Sequence, residues 1–217
     1  MRVSSVLLAV VCLLLSCSFL GCGKEPAPGP MAMEPAEMER WEIALVEWRI
    51  EKNEDFMDGA STPLPETLRP GFEGLDYYFP AAEFRFRLPL VKAAHEDTVM
   101  LTKRKGDQVP YVVVGTVNFR HNDADHALTV YGPARPGPFY HFLPFSDLTN
   151  GETTYPGGRY IDLELDADGM VELDFNKSYN PLCAYNPDGF NCTQPPPENR
   201  LGFRVEAGEK LLTGATH

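Results

Sequence analysis

The chain lacks the local signatures of the common catalytic sites. It holds no G-x-S-x-G elbow, no H-E-x-x-H helix and no Walker loop. A nucleophile elbow, a zinc-protease helix and a phosphate-cradling loop are thereby excluded as local motifs. No Ser-His-Asp or Cys-His arrangement is identifiable. Basic residues are in deficit: 19 Lys and Arg stand against 31 Asp and Glu, a formal charge of −12. That argues against nucleic acid as a partner, because binding requires phosphate neutralisation. It argues equally against broad electrostatic docking on anionic lipid. Cysteine is scarce, and Cys12, Cys17, Cys22, Cys183 and Cys192 show no C-x-x-C spacing of the structural-zinc kind. No cofactor motif and no metal site are expected. His121 and His126 flank Asn122-Asp123-Ala124-Asp125, which reads first as a polar hairpin tip. No internal repeat is visible.

What is present begins with an export signal. Arg2 supplies a short positive region, and Val6 to Leu20 is almost wholly apolar. That run is short for a membrane span, which needs about 20 apolar residues, and suits a signal core. Phe19-Leu20-Gly21-Cys22 resembles a bacterial lipobox, in which the cysteine thiol is acylated and becomes the mature N-terminus. Leu14-Leu15-Ser16-Cys17 fits the same pattern, but cleavage there would leave apolar Ser18–Leu20 behind. The expectation is a signal over 1–21, lipidation at Cys22, a Pro/Gly linker over 22–32 and one domain over 33–212. The partner so implied is the membrane, reached through the N-terminal lipid. Gly23 and Lys24 after the cysteine, with no Asp, match sorting to the periplasmic face of the outer membrane if the host has two membranes. Cys183 and Cys192 then remain as a close pair in an oxidising compartment, most simply a disulfide.

The spacing predicts one substantial helix, Met33 to Asp58. Met38, Trp41, Leu45 and Trp48 form its apolar stripe, for packing on a sheet or, alternatively, on a partner. Everything after the Pro-rich loop at 61–74 reads as β. Strands are predicted at Glu83–Leu90, Thr98–Lys103, Tyr111–Phe119, Ala127–Tyr131, Tyr140–Leu143, Tyr160–Leu165, Val171–Phe175 and Leu201–Val205. Short strands with turns and no second long helix imply a mainly β single domain, an antiparallel sandwich or barrel.

Two constellations carry specific chemistry. In the first, Asp147 and Thr149 suit an Asx- or ST-turn. Gly157-Gly158 permits close backbone approach, and Arg159, beside Tyr160 at a strand start, can pair a carboxylate or hold an anionic ligand. The second runs from Leu173 to Lys210. Asp174 and Asn176 alternate with Phe175, Tyr179 and Asn180 follow, and the cysteine loop leads into Pro195-Pro196-Pro197-Glu198-Asn199. Prolines fix an extended backbone that cannot pair with itself, so its polar groups need side-chain partners, and Asn176, Asn180 and Asn199 suit that task. The run supports a structural clasp or a ligand site. Candidate ligand-binding residues are Asp147, Thr149, Arg159, Tyr160, Asp174, Asn176, Tyr179, Asn180, Glu198 and Asn199.

Pro144-Phe145-Ser146-Asp147-Leu148-Thr149-Asn150-Gly151, Gly158-Arg159-Tyr160, Leu173-Asp174-Phe175-Asn176, Tyr179-Asn180-Pro181, Cys183-Ala184-Tyr185, Pro195-Pro196-Pro197-Glu198-Asn199-Arg200-Leu201 and Ala207-Gly208-Glu209-Lys210 resemble one family. It is the bacterial and archaeal domain of unknown function 1684. The resemblance is strong from about Phe139 to Lys210 and implies a defined domain with a recurring polar site, and no activity. Members without export signals carry the paired cysteines too, which keeps a thiol or metal role open beside the disulfide. Three functions remain in view: a membrane-anchored domain binding a small-molecule ligand or envelope partner, a hydrolase-like enzyme using Asp174 or Glu198 with Arg159 and Tyr179, and a structural envelope protein.

Overall fold

The computed structural model describes residues 25–59, 62–135 and 140–212. The segment read as an export signal, and Cys22 with it, lies outside them. Among the described residues one α-helix, α1 (Pro35–Met57), precedes eight strands. They are β1 (Arg85–Pro89), β2 (Val91–Lys92), β3 (Thr98–Thr102), β4 (Gln108–His121), β5 (Ala124–Pro133), β6 (His141–Phe145), β7 (Arg159–Leu163) and β8 (Met170–Asp174). All ladders are antiparallel. The main sheet runs β2-β4-β5-β6-β7, with β3 also on β4, and β1 pairs β8 in a separate ribbon. A bridge between Leu165 and Val171 ties that ribbon to the end of β7. The result is the expected mainly antiparallel β domain, nearly closed and barrel-like, with a single helix.

Alternation explains the closure. In β1 Phe86 and Leu88 are fully buried, while Arg87 points outward to Asp166 and Arg85 forks onto Glu172. The inward positions of β4, β5, β6 and β8 supply Phe119, Val130, Phe145 and Leu173 to the same core. Burying each such side chain is worth roughly 1.5–3 kcal/mol. The β4–β5 hairpin turns on Asn122 and Asp123, both left-handed at φ 51° and 59°, as a tight two-residue turn requires.

The sheet is apolar on its outer side as well. Tyr131, Phe142 and Tyr160 alternate with core residues and gather with Leu101 into a second cluster. This outer aromatic face positions the site described below.

α1 lies across the C-terminal segment. Trp41 and Leu45 are buried, Met38 and Trp48 half-buried. Trp41 donates its indole N–H to Asp174 at 2.9 Å. Lys52 pairs with Glu209 at 2.5 Å, and Phe56 meets Tyr185 edge-on, centroids 4.9 Å apart. The helix is therefore held by its buried Trp41, Leu45 and Phe56 together with polar anchors from the 174–209 region.

Three strand features differ from the sequence expectation, the first being β2 (Val91–Lys92), which lies outside every predicted strand. β4 and β5 are longer than their predicted cores, because the hairpin continues to the tip. Leu201–Val205 forms no ladder strand. It runs as an irregular strap, with Leu201 N–H on Ser146 O at 2.8 Å and Val205 N–H on the Asp147 carboxylate at 3.1 Å. The backbone of Ser146 and Leu148 satisfies its first half, and the Asp147 and Arg159 side chains satisfy its end. Within the segment read as linker, Pro28 accepts from Arg120 N–H and Met31 donates to Arg85 O, both at 2.8 Å. Its last residues are thus tied to the barrel.

Candidate functional site

The first constellation folds into a buried clamp. Thr149 N–H and Oγ1 both donate to Asp147 Oδ1, at 2.8 and 2.6 Å, closing the expected Asx-type turn. Arg159 is fully buried. Its Nη2 donates to Asp147 Oδ2 at 2.9 Å and to Val205 O at 2.8 Å, and its Nη1 donates to Ala207 O. Burial pulls the guanidinium down from the ordinary arginine value, and Asp147 opposes that. A fork so consumed holds the C-terminal strap to β7.

The amides of the second constellation serve the backbone. Asn176 grips Ala81 through both its N–H and C=O, each at 2.8 Å. Asn199 accepts from Thr129 N–H at 2.7 Å and donates to Thr129 O and Pro144 O at 2.8 Å. Asn180 donates its backbone N–H to Glu209 at 2.7 Å and its amide to Lys210 O at 2.8 Å. Asp174 receives Trp41, and its Oδ1 accepts from Asn176. Glu198 accepts the Tyr131 hydroxyl at 2.8 Å. Gly208 sits at φ +78°, where any Cβ would drive into Phe175 O and Ser178 O, 2.6 Å away. Of the ten candidates, Asp147, Thr149, Arg159, Asp174, Asn176, Asn180, Glu198 and Asn199 are therefore engaged within the scaffold.

Tyr160 and Tyr179 differ. Both line a cleft of about 1060 Å³ on the outer aromatic face. That is at the upper end of the roughly 300–1,000 Å³ typical of small-molecule sites. One wall is the sheet: Tyr111 from β4, His141 and Phe142 from β6, Tyr160, Asp162 and Leu163 from β7. Tyr140, just before β6, stands at the rim, 42% exposed. The other wall is the loop closed by the Cys183–Cys192 disulfide, whose Cα atoms lie 6.0 Å apart. It brings Leu182, Phe190 and Thr193 over the sheet, and Thr193 O accepts the Tyr160 hydroxyl.

The rings meet at corners. Phe142 and Tyr160 have centroids 4.7 Å apart at 74°, and Tyr160 and Tyr179 5.8 Å apart at 90°. Tyr111 stacks on Phe142 at 5.4 Å. Tyr179 donates to Asp162 Oδ2 at 2.7 Å. Asp162 keeps solvent access at the cleft edge, yet the crowded rings push its carboxyl up by desolvation, against the opposing pull of Tyr179 and Lys52. Burial also pushes the Tyr160 and Tyr179 phenols far above the usual tyrosine value, and Tyr140 up to about 12. These phenols stay neutral hydrogen-bonding groups at physiological pH. Asp162 and Tyr179 also border two smaller cavities, of about 360 and 410 Å³, and Asp174 reaches the second of these. Among the described residues no group of three or more His, Cys, Asp or Glu side chains is arranged to hold a metal ion.

Sequence reasoning missed Tyr111, Tyr140, Phe142 and Asp162 as site residues. Their signal was present in the alternation: Tyr160 and Asp162 share one face of β7, and Phe142 lies opposite Asp162 in the β6–β7 ladder.

The family model described as "Protein of unknown function (DUF1684)" matches residues 70–210. The chain belongs to this family. The match takes in β1 to β8, the disulfide loop and the whole Arg159 clamp. Among solved structures, the solution NMR structure of an uncharacterized protein of Haloarcula marismortui is similar, at 33% identity and TM-score 0.64. The alignment covers 82% of this chain and 97% of that one. No curated protein matches the sequence. The resemblance carried by the Asp147, Arg159 and Asp174 motifs is thus a family likeness, and the buried geometry gives those motifs a scaffold role. Among the described residues of this DUF1684 member, no helix is long and apolar enough to cross a membrane.

Proposed function

We propose that this protein is a binding domain that holds a small organic ligand in its tyrosine-lined cleft, without catalysis, and that a lipid on Cys22 tethers it to the cell envelope. The observation that carries the reading is the outer aromatic face of the sheet. A barrel needs only its inner face apolar, yet this one places Tyr111, Phe142, Tyr160 and Tyr179 on a second apolar surface. The disulfide loop covers part of that surface and leaves the rest as an open cleft. The hydrolase-like alternative finds less support. Arg159 is spent on Asp147 and the strap, and Glu198 on Tyr131, so the four residues it requires have separate partners.

A thermal-shift screen of small organic compounds tests the ligand reading, comparing wild type with Leu182→Trp. Leu182 is 39% exposed and lines the cleft, so the larger ring fills the cavity without entering the core. Ligands that bind the folded state raise the melting temperature by mass action. The expected result is hits on wild type that Leu182→Trp loses. Hits that stabilise both proteins equally would place the ligand elsewhere.

A further inference from the structure

The charge of the cleft selects its occupant. Resting on the ligand-cleft reading, we infer that the cleft takes a free organic ammonium ion, with the positive nitrogen carried on methyl groups. The ionic side chains lining it are Asp162 and Glu164, and among the described lining residues none is Lys or Arg. Nearby bases are committed elsewhere. Lys52 pairs with Glu209 and reaches Asp162 and Tyr179 only from the helix side, Arg104 donates to Pro187 O, and Lys105 donates to Asp188 O.

The aromatic wall favours the same charge. A cation is attracted to the face of an aromatic ring within about 6 Å of its centroid. Tyr179 already shows the interaction internally, with Lys52 Nζ 4.5 Å from its centroid on the helix side. Among the described residues the cation–π contacts fall on Trp41, Trp48, Tyr77, Tyr78, Phe145 and Tyr179. From the described residues, the rings of Tyr111, Tyr140, Phe142 and Tyr160 receive none. Tyr140, the exposed ring of the set, stands edge-on to Phe142 at 6.2 Å and 75°, and half-buried Tyr111 stacks on Phe142, so the rim forms a corner where a rounded cation meets more than one ring. A methylated head suits such walls, since its charge lies on C–H groups that need no hydrogen-bond acceptor. The carboxylates disfavour a phosphate-bearing headgroup and leave a free ammonium solute.

Calorimetric titration of the full-length chain, held in a maltoside detergent, uses three probes: choline, its uncharged isostere dimethylbutanol, and phosphocholine. Choline is expected to bind about tenfold or more tighter than either of the others. Asp162→Asn, whose amide oxygen can still accept from Tyr179, is expected to abolish that preference while the free protein stays folded with a cooperative melting transition. Tyr140→Leu is expected to weaken choline more than the isostere. Equal binding of choline and dimethylbutanol would overturn the inference, and so would phosphocholine binding as well as choline. Failure of all three probes overturns it too. The ligand-cleft reading then still stands or falls separately, on whether Leu182→Trp loses hits from the wider screen.

Discussion

Tyr179 donates its hydroxyl to Asp162 Oδ2 at 2.7 Å, and this pair stands where three cavities meet. The ring rests on Lys52 from the helix side, and Lys52 in turn pairs with Glu209 in the strap. The pair thus joins helix, strap and cleft. A hydrogen bond to a carboxylate favours its charged form. Tyr179→Phe keeps the ring over Lys52 and removes only that bond. The Asp162 carboxyl pKa is expected to rise further above the ordinary value, at a stability cost of about 1 kcal/mol. Carboxyl NMR titration of both proteins reads the shift. A pKa that stays or falls would show that Tyr179 does not hold Asp162 down.

The Arg159–Asp147 clamp is expected to be the costliest polar contact to break. Both side chains are wholly shielded from solvent. Removing one partner leaves a buried charge uncompensated, at a cost of about 3–5 kcal/mol. Arg159→Met should lower the denaturant midpoint accordingly, with the strap released from β7. A loss below about 1 kcal/mol would contradict the assignment.

The Cys183–Cys192 bridge closes a loop with a sequence separation of 9. On the chain-entropy model such a bridge stabilises by about 2–3 kcal/mol. Denatured wild type should show no more thiols than the Cys183→Ser/Cys192→Ser variant until reductant is added. Two extra thiols without reductant would remove the disulfide and reopen a thiol role.

Alkaline stability follows from the buried phenols. Tyr131, Tyr160, Tyr179 and Tyr185 are all raised, chiefly by burial, and Glu209 adds to the effect at Tyr185. Unfolded tyrosine ionises near pH 10. A phenol with a raised native pKa contributes stability that is complete below the unfolded value and lost as pH rises through the native one. Stability should therefore fall steadily above about pH 10. Ultraviolet titration should show partial phenolate formation in the folded protein, with Tyr140 ionising near 12, then a cooperative jump on unfolding. A full, smooth titration near pH 10 with the fold intact would contradict the burial of these rings.

Lipidation is tested by labelled palmitate. Incorporation and membrane fractionation are expected for wild type and Cys17→Ser, and lost in Cys22→Ser. Loss in Cys17→Ser alone would move the acylated residue.

Much of the barrel was legible because alternation fixes a strand's faces. Phe86 and Leu88 against Arg85 and Arg87 is a pattern only a half-buried strand produces. The asparagines were legible as backbone-binding groups, but not their partners: Asn176, Asn180 and Asn199 hold Ala81, Lys210, Thr129 and Pro144, and not the backbone of the proline run at 195–197. The strap at 201–205 misled, since its apolar side chains enter the core as a strand's would while its backbone bonds the 146–148 segment irregularly and the Asp147 carboxylate. The cleft was hidden for a different reason. Tyr111, Phe142 and Tyr160 come from three strands, and their apposition depends on a sheet that is apolar on both sides. Asp162 reads in isolation as an ordinary outward-facing carboxylate.

The central claim is that the tyrosine-lined cleft is where this protein binds a small ligand. Ring-selective NMR of tyrosine-labelled protein, titrated with stabilising compounds from the screen, tests it most directly. The account predicts that the resonances of Tyr111, Tyr140, Tyr160 and Tyr179 move together while those of Tyr77 and Tyr185 stay in place. Shifts confined to Tyr77 and Tyr185, or no ring shifts at saturating compound, would contradict it.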